Sequence, residues 1–280
     1  MSTPARRSPS ALLSGFASRF TLSLNPWSIA LFLIALIVAL PILVVLGHIV
    51  MPTEGVWQHL ASTVLPRYLS NTFWLVLWVG LGTLVIGTGT AWLVVMCRFP
   101  GKRLFEWALL LPLAVPTYVI AYAYTDFLQV AGPLQSLLRE WFHWQVGDYY
   151  FPNVRSLGGA ATLITFVLYP YVYLLARASF LEQSVCVLDV GRTLGRGPWR
   201  LFASVALPLA RPALVGGVSL VLMETLNEFG AVQFFGVDTF TTGIYRTWFG
   251  LGEPIAAAQL AACLLTFVIA FVLLERWSRG

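Results

Sequence analysis

The sequence predicts an all-α fold, a polytopic membrane protein with six transmembrane helices and one long cytoplasmic loop. Hydrophobic residues make up 58% of the 280 residues and charged residues only 10%, whereas soluble domains are about 45–50% apolar. Six apolar stretches are long enough to cross a membrane, which takes about 20 residues. We expect each to be a helix, because a segment in lipid must satisfy its own backbone hydrogen bonds. The predicted spans are Trp27–Val50, Asn71–Cys97, Phe105–Leu128, Gly158–Ala176, Pro212–Val232 and Ile255–Leu274.

Composition changes along the chain divide it into four segments. Residues 1–26 are rich in Ser, Pro and Arg and form an N-terminal tail. Residues 27–64 hold the first span and an outside loop, residues 65–276 hold the other five spans, and residues 277–280 form the C-terminal end. The sequence therefore predicts one main membrane domain, residues 65–276.

Basic residues predict the orientation of the spans, because cytoplasmic loops carry an excess of Lys and Arg. With both termini inside, 13 of the 17 basic residues lie in cytoplasmic segments and 4 lie outside. The four outside are Arg67, Arg139, Arg155 and Arg246. This bias accounts for most of the net charge of +5, so the charge does not require a nucleic-acid partner.

The loop between the fourth and fifth spans is basic and punctuated by glycine and proline. Its spacing predicts two short helices, one ending near Leu194 and a second that begins at Pro198 and ends at Pro208. Proline suits the first turn of a helix because its missing amide hydrogen has no acceptor there. Such a protruding pair is typical of a docking element, and the alternative is a plain cytoplasmic loop whose arginines reflect topology alone.

The spacing within this loop resembles the EAA loop of binding-protein-dependent ATP-binding-cassette importer permeases. The aligned residues are Asp189, Gly191, Gly195, Val205, Leu207 and Pro208. Pro198 and Trp199, at the start of the second predicted helix, belong to the same predicted coupling loop. The Gly195 and Leu207-Pro208 positions and all spacings fit the pattern, while Asp189 stands where the family has Glu. The resemblance implies that this loop forms coupling helices that dock on separate ATPase subunits.

No ATP-binding motif of the form G-x-x-x-x-G-K-[ST] occurs in the sequence. If transport is driven by ATP, the nucleotide therefore binds to the partner subunit, and we expect this chain to bind no cofactor and to catalyse no reaction. The resemblance adds a periplasmic substrate-binding protein and a second six-helix permease half, fused or separate. It also implies a bacterial inner membrane location, with lipid around the spans.

Three polar residues in the predicted fifth span suggest a lining for the transport path. Glu224, Asn227 and Glu228 have i, i+3 and i+4 spacing, which places them on one face of a helix. Counted from Pro212, Glu224 lies about 18 Å deep. A carboxylate there costs about 2.5–3.5 kcal/mol if it faces lipid. Either these residues line a path or they form a structural network; no metal ligands are assigned.

The stretch around these residues, 226–252, resembles the ferric-iron branch of these permeases. That resemblance implies ferric iron as the substrate and a chain that corresponds to the N-terminal half of a two-half permease. Thiamine, polyamine and sulfate, which related branches move, stay open as alternatives. An ion-coupled secondary transporter that uses Glu224 and Glu228 as a proton relay also stays open.

Overall fold

A computed structural model describes residues 25–53, 55–183 and 197–278, and every regular element in these ranges is helical. It divides into two units, of which the first, ending at Val50, contains helix α1 (Pro26–Gly47) and a 3-10 turn. The helices of the second unit are α2 (Val56–Thr63), α3 (Leu65–Met96), α4 (Lys102–Ala108), α5 (Thr117–Leu128), α6 (Pro133–Phe142), α7 (Leu157–Glu182), α8 (Pro198–Leu201), α9 (Leu207–Asn227), α10 (Gly230–Phe234), α11 (Phe240–Tyr245) and α12 (Pro254–Ser278).

The described residues contain four helices long and apolar enough to span a membrane, or five if one bent pair counts as a span. The four are Pro26–Val50, Leu65–Met96, Leu157–Glu182 and Trp199–Asn227. The sixth predicted span, Ile255–Leu274, lies within the 25-residue helix α12 but is not one of these four. The all-helical, multi-pass prediction is confirmed, and the number six is not.

The core of the second unit lies where α3, α7 and α9 pack together. The buried side chains there include Leu75, Ile164, Val172 and Val221. Glycine allows the closest approaches: a Cβ on Gly87 would lie 2.7 Å from the Val172 Cβ. Small residues at such contacts are typical of membrane helices, which associate through close packing rather than through the hydrophobic effect.

The third predicted span, Phe105–Leu128, is not a single helix. Helix α4 ends at Ala108, α5 begins at Thr117, and the segments Lys102–Ala114 and Thr117–Phe142 meet at 97°. Pro112 and Pro116 lie at the bend and lack the amide hydrogens that a continuous helix needs.

Two tyrosines of α7 satisfy carbonyl groups near this bend. The Tyr169 hydroxyl donates to the Leu109 carbonyl at 2.9 Å, and the Tyr173 hydroxyl donates to the Glu106 carbonyl at 3.3 Å. Both tyrosines are buried. Broken helices are tolerated at membrane depth when neighbouring side chains bond the freed backbone groups, so α7 stabilises the bend.

The fifth span also differs from its predicted bounds, Pro212–Val232. A π turn over Phe202–Ala206 joins α8 to α9, which runs through Pro212 and ends at Asn227. The prediction that the helix ends at Pro208 is wrong, because this proline lies in the first turn of α9. Pro208 lacks an amide hydrogen, and the π turn directly before it is where the regular helical bonding pattern changes.

Candidate functional site

The structure describes only the second half of the predicted coupling loop. Asp189, Gly191 and Gly195 lie outside the described residues, which resume at Gly197. As expected, a helix begins at Pro198, and the Trp199 side chain is 74% exposed. Val205, Leu207 and Pro208 are half-buried.

Three aromatic side chains attach this half of the loop to the bundle, and we call them the aromatic clamp: Trp92 of α3, Phe180 of α7 and Phe202. The Trp92 ring lies 4.9 Å from Phe202 and 5.5 Å from Phe180, measured between ring centroids. Trp199 contacts the edge of the clamp, 6.5 Å from Phe202. Aromatic pairs add about 0.5–1.5 kcal/mol each beyond their buried area. The loop exit is therefore fixed to two spanning helices at once.

A polar contact supports the same connection. The Gln183 amide, directly after α7, donates to the Ala206 carbonyl at 3.0 Å. Ala206 is the last residue of the π turn, where the i→i+4 bonding pattern of the helix is interrupted. The Gln183 bond thus ties the two described ends of the loop, residues 183 and 197–206, to each other.

Sequence reasoning missed this clamp because its three members are distant in the chain. Their sequence signal is weak but present: Trp92 and Phe180 both lie in the last turns of spanning helices, next to segments that the sequence predicts to be cytoplasmic. Aromatic residues at that depth are common in any membrane protein. Only the packing of α3 against α7 shows that they meet.

The spanning helix ends at the second of the three predicted path residues, Asn227. Glu224 and Asn227 belong to the last turn of α9, and both are exposed. Glu228 follows the helix with extended backbone angles, φ −65° and ψ 121°. The helix therefore contains the first two residues, and Glu228 is the residue directly after it.

Glu228 instead holds the segment that follows the spanning helix. Its carboxylate accepts a hydrogen bond from the Ala231 amide at 2.9 Å, in the first turn of α10. Its carbonyl accepts one from the Thr241 hydroxyl in α11 at 2.7 Å. A carboxylate at a helix start stabilises unpaired amide groups there. Glu228 thus connects α9, α10 and α11.

The exposure of Glu224 indicates what surrounds this part of the protein. An ionised carboxylate that faces lipid costs about 2.5–3.5 kcal/mol, so such residues face water or another protein. Within the described residues, no three His, Cys, Asp or Glu side chains lie together as a metal site would require. This face of α9 therefore suits a solvated or subunit-covered surface.

Comparison with known proteins assigns a family to this helical architecture. Residues 83–279 match the family described as "Binding-protein-dependent transport system inner membrane component". The match covers more than half of the chain, so the chain belongs to this family of permeases. Members are the membrane components of ATP-binding-cassette transporters and are not themselves catalytic. The family description and the apolar helices agree with a multi-pass inner membrane protein.

Similar proteins of the same kind carry different substrates. The molybdenum transport system permease protein ModB of Escherichia coli K12 is 30% identical over 233 residues, covering 80% of this chain and 94% of ModB. The Fe(3+)-transport system permease protein FbpB 2 of Haemophilus influenzae is 29% identical over 257 residues. That match covers 90% of this chain and 46% of FbpB 2, so the chain spans about half the length of this relative. A putative 2-aminoethylphosphonate permease protein, PhnU of Salmonella typhimurium, is 30% identical over 174 residues, covering 62% of this chain and 60% of PhnU.

Solved structures share the fold. A chain of the bacterial alginate transporter, solved in complex with an alginate-bound periplasmic protein, has a TM-score of 0.71 at 14% identity, covering 88% of this chain and 91% of its own. A chain of the MetNI methionine transporter has a TM-score of 0.58 at 18% identity, covering 76% of this chain and 93% of its own. At these identities the likeness shows the architecture and not the substrate.

Proposed function

We propose that this chain is the permease subunit of an ATP-driven importer whose ATPase docks on the loop around residues 189–208. The observation that carries the proposal is the aromatic clamp, which joins the exit of that loop to α3 and α7. A load applied to the loop by a docked ATPase would be transmitted through Phe202 to two spanning helices. In this proposal ATP binds to the partner subunit, the chain itself holds no cofactor, and both termini lie in the cytoplasm.

The exposed end of α9 supports a path between two permease halves. Glu224 and Asn227 would face the second six-helix half, fused or separate, across an aqueous passage. This arrangement removes the cost of a carboxylate in lipid. A substrate-binding protein would deliver the ligand at the outer end of this passage. Glu228 would position the surrounding helices rather than contact the cargo.

Ferric iron is the substrate we propose. The resemblance of residues 226–252 to the ferric-iron branch supports it, and so does the FbpB 2 match, which covers more of this chain than the ModB match. Molybdate is the second candidate, because ModB matches over nearly its whole length. The two differ in charge, since one is a hard cation and the other an oxyanion.

The docking proposal is tested with two matched tryptophan variants of the complete transporter. Trp199 and Trp107 are both 74% exposed, but only Trp199 lies in the loop pattern. Trp199→Ala, or Gly195→Arg within the loop, should abolish ligand-stimulated ATP hydrolysis with membrane insertion unchanged. Trp107→Ala should leave it unaffected. Normal ATPase co-purification and stimulation in both loop variants would remove the docking proposal.

The substrate proposal is tested by metal analysis of uptake. Cells that express the complete importer in a background lacking their own iron and molybdate importers are given ferric citrate or molybdate, and the accumulated metal is measured by mass spectrometry. Iron accumulation that depends on the importer supports the proposal. Accumulation of molybdenum alone would instead identify the oxyanion molybdate as the substrate.

A further inference from the structure

Three arginines that are far apart in the sequence lie at one end of the helical bundle. Arg67 is in the first turn of α3, Arg155 precedes α7, and Arg246 follows α11. With Asp238 they form what we call the arginine cluster. Arg67 and Arg155 line a shared pocket of about 260 Å³ that also contains Asn71, Ser156 and Asp238.

One carboxylate serves two of these arginines. Asp238 accepts from the Arg67 guanidinium at 3.4 Å and forms a second ion pair with Arg246. The Asn71 side-chain amide donates a hydrogen bond to the Asp238 backbone carbonyl at 2.9 Å. The Arg155 guanidinium lies 5.1 Å from the centre of the Phe234 ring. Three guanidinium groups and one carboxylate leave a formal charge of +2.

Stability alone does not account for this charge. The Arg67 and Arg246 side chains are 71% and 48% exposed, and exposed ion pairs contribute about 0–1 kcal/mol. The cluster also runs against the charge bias of the chain, because these arginines are three of the four basic residues expected outside. A surplus of exposed guanidinium groups around a pocket suits an anionic partner.

The position of the arginine cluster indicates which partner could bind it. Arg67 and Arg155 lie at the N-terminal ends of α3 and α7, whereas the loop at residues 183–197 follows the C-terminal end of α7. The cluster and the ATPase-docking loop are therefore at opposite ends of the bundle. If the ATPase binds in the cytoplasm, the cluster faces the compartment from which the ligand arrives.

We infer that the arginine cluster is a docking surface for an acidic patch on a substrate-binding protein. This inference rests on the proposed importer function and names the surface that its outer partner recognises. Carboxylates of the partner enter the pocket between Arg67 and Arg155, where planar guanidinium groups bind them in pairs of hydrogen bonds. Asp238 orients Arg67 and Arg246 without neutralising the whole cluster. The remaining positive charge attracts the acidic partner before contact.

Charge-graded variants of Arg155 test this inference in the complete transporter, reconstituted in nanodiscs with its ATPase. The probe is the substrate-binding protein that co-purifies with the unaltered complex, and its affinity is measured at low and high salt. Arg155→Glu should weaken binding by about tenfold or more at low salt, and less at high salt because salt screens charges. Arg155→Lys keeps the charge but loses the paired hydrogen bonds, and its affinity should fall between those of the parent and Arg155→Glu.

A second variant and a second readout keep the outcomes distinct. Arg67→Gln alters an exposed side chain and should weaken binding less than the charge reversal does. Basal ATP hydrolysis and ATPase co-purification should be unchanged in all variants, because the cluster lies away from the loop. Unchanged affinity and unchanged salt dependence in Arg155→Glu and Arg67→Gln would overturn the docking surface while leaving the importer function in place. A parent complex that binds neither an ATPase nor a binding protein would overturn both.

Discussion

The contact between α3 and α7 at Gly87 makes a quantitative prediction about packing. A Cβ on Gly87 would lie 2.7 Å from the Val172 Cβ and 2.9 Å from both the Tyr169 carbonyl oxygen and the Tyr173 amide nitrogen. Carbon atoms normally touch at about 3.5–4.0 Å. Two of the three neighbours are backbone atoms, so no side chain can rotate away. The Gly87→Ala change must separate the helices by roughly 1 Å.

Gly89 provides a matched control in the same helix, because a Cβ there would meet nothing within 4 Å. Both substitutions gain the same helix propensity, about 1 kcal/mol for Gly to Ala. The difference between the two variants therefore isolates the steric cost at Gly87. Overpacking of a close contact costs about 1–3 kcal/mol.

Thermal unfolding of the two purified variants in detergent measures this difference. Gly87→Ala should unfold roughly 2–12 °C below Gly89→Ala, since 1 kcal/mol shifts the Tm of a chain of this size by about 2–4 °C. The same separation should loosen the aromatic clamp, because Trp92 lies on α3 beyond Gly87. A Gly87→Ala protein as stable as Gly89→Ala would refute the close approach of these helices.

Three further predictions concern coupling, the path and topology. Trp92→Ala removes the central ring of the aromatic clamp, at a packing cost of about 3–5 kcal/mol. It should reduce ligand-stimulated ATP hydrolysis far more than Trp92→Phe does. Equal activity of the two variants would contradict a role of the clamp in coupling. Glu228→Ala should lower the free energy of unfolding by about 1 kcal/mol through the lost helix cap, and Glu228→Gln should stay near the parent because its amide oxygen still accepts the hydrogen bond. Glu224→Gln should leave stability unchanged and slow uptake several-fold. Normal uptake in Glu224→Gln would favour a structural role for this residue. Cysteines placed at Arg200 and Asp148 in a cysteine-free background should be labelled only from inside and only from outside, respectively, and labelling of position 200 in intact cells would reverse the topology.

Much of the architecture follows from the apolar pattern of the sequence. The second and fourth spans were predicted within six residues of the bounds of α3 and α7, because a helix in lipid must be apolar along its whole length. The start of α8 at Pro198 was also predicted, since proline suits a first turn. The resemblance to importer permeases rested on the glycine and Leu-Pro spacing of the loop, which is local information, and the match over residues 83–279 agrees with it.

Features that depend on contacts between distant residues were not predictable in this way. The apolar stretch Phe105–Leu128 continues across the bend between α4 and α5, so hydropathy indicates one span where the structure has two segments. Tyr169 and Tyr173 of α7 stabilise that bend by donating hydrogen bonds to its backbone carbonyl groups. The spacing of Glu224 and Glu228 likewise indicates one continuous helix, but the helix ends at Asn227, and Glu228 bonds to α10 and α11.

The sequence by itself determined that this protein is a multi-pass helical membrane protein with a basic, glycine-punctuated loop, because hydropathy and turn chemistry act over short stretches of chain. Only the tertiary structure decided which residues meet. It brought Trp92, Phe180 and Phe202 together at one end of the bundle and Arg67, Arg155 and Asp238 at the other. Such groupings depend on how closely α3, α7 and α9 approach one another, and that approach is set by side-chain packing across the whole bundle.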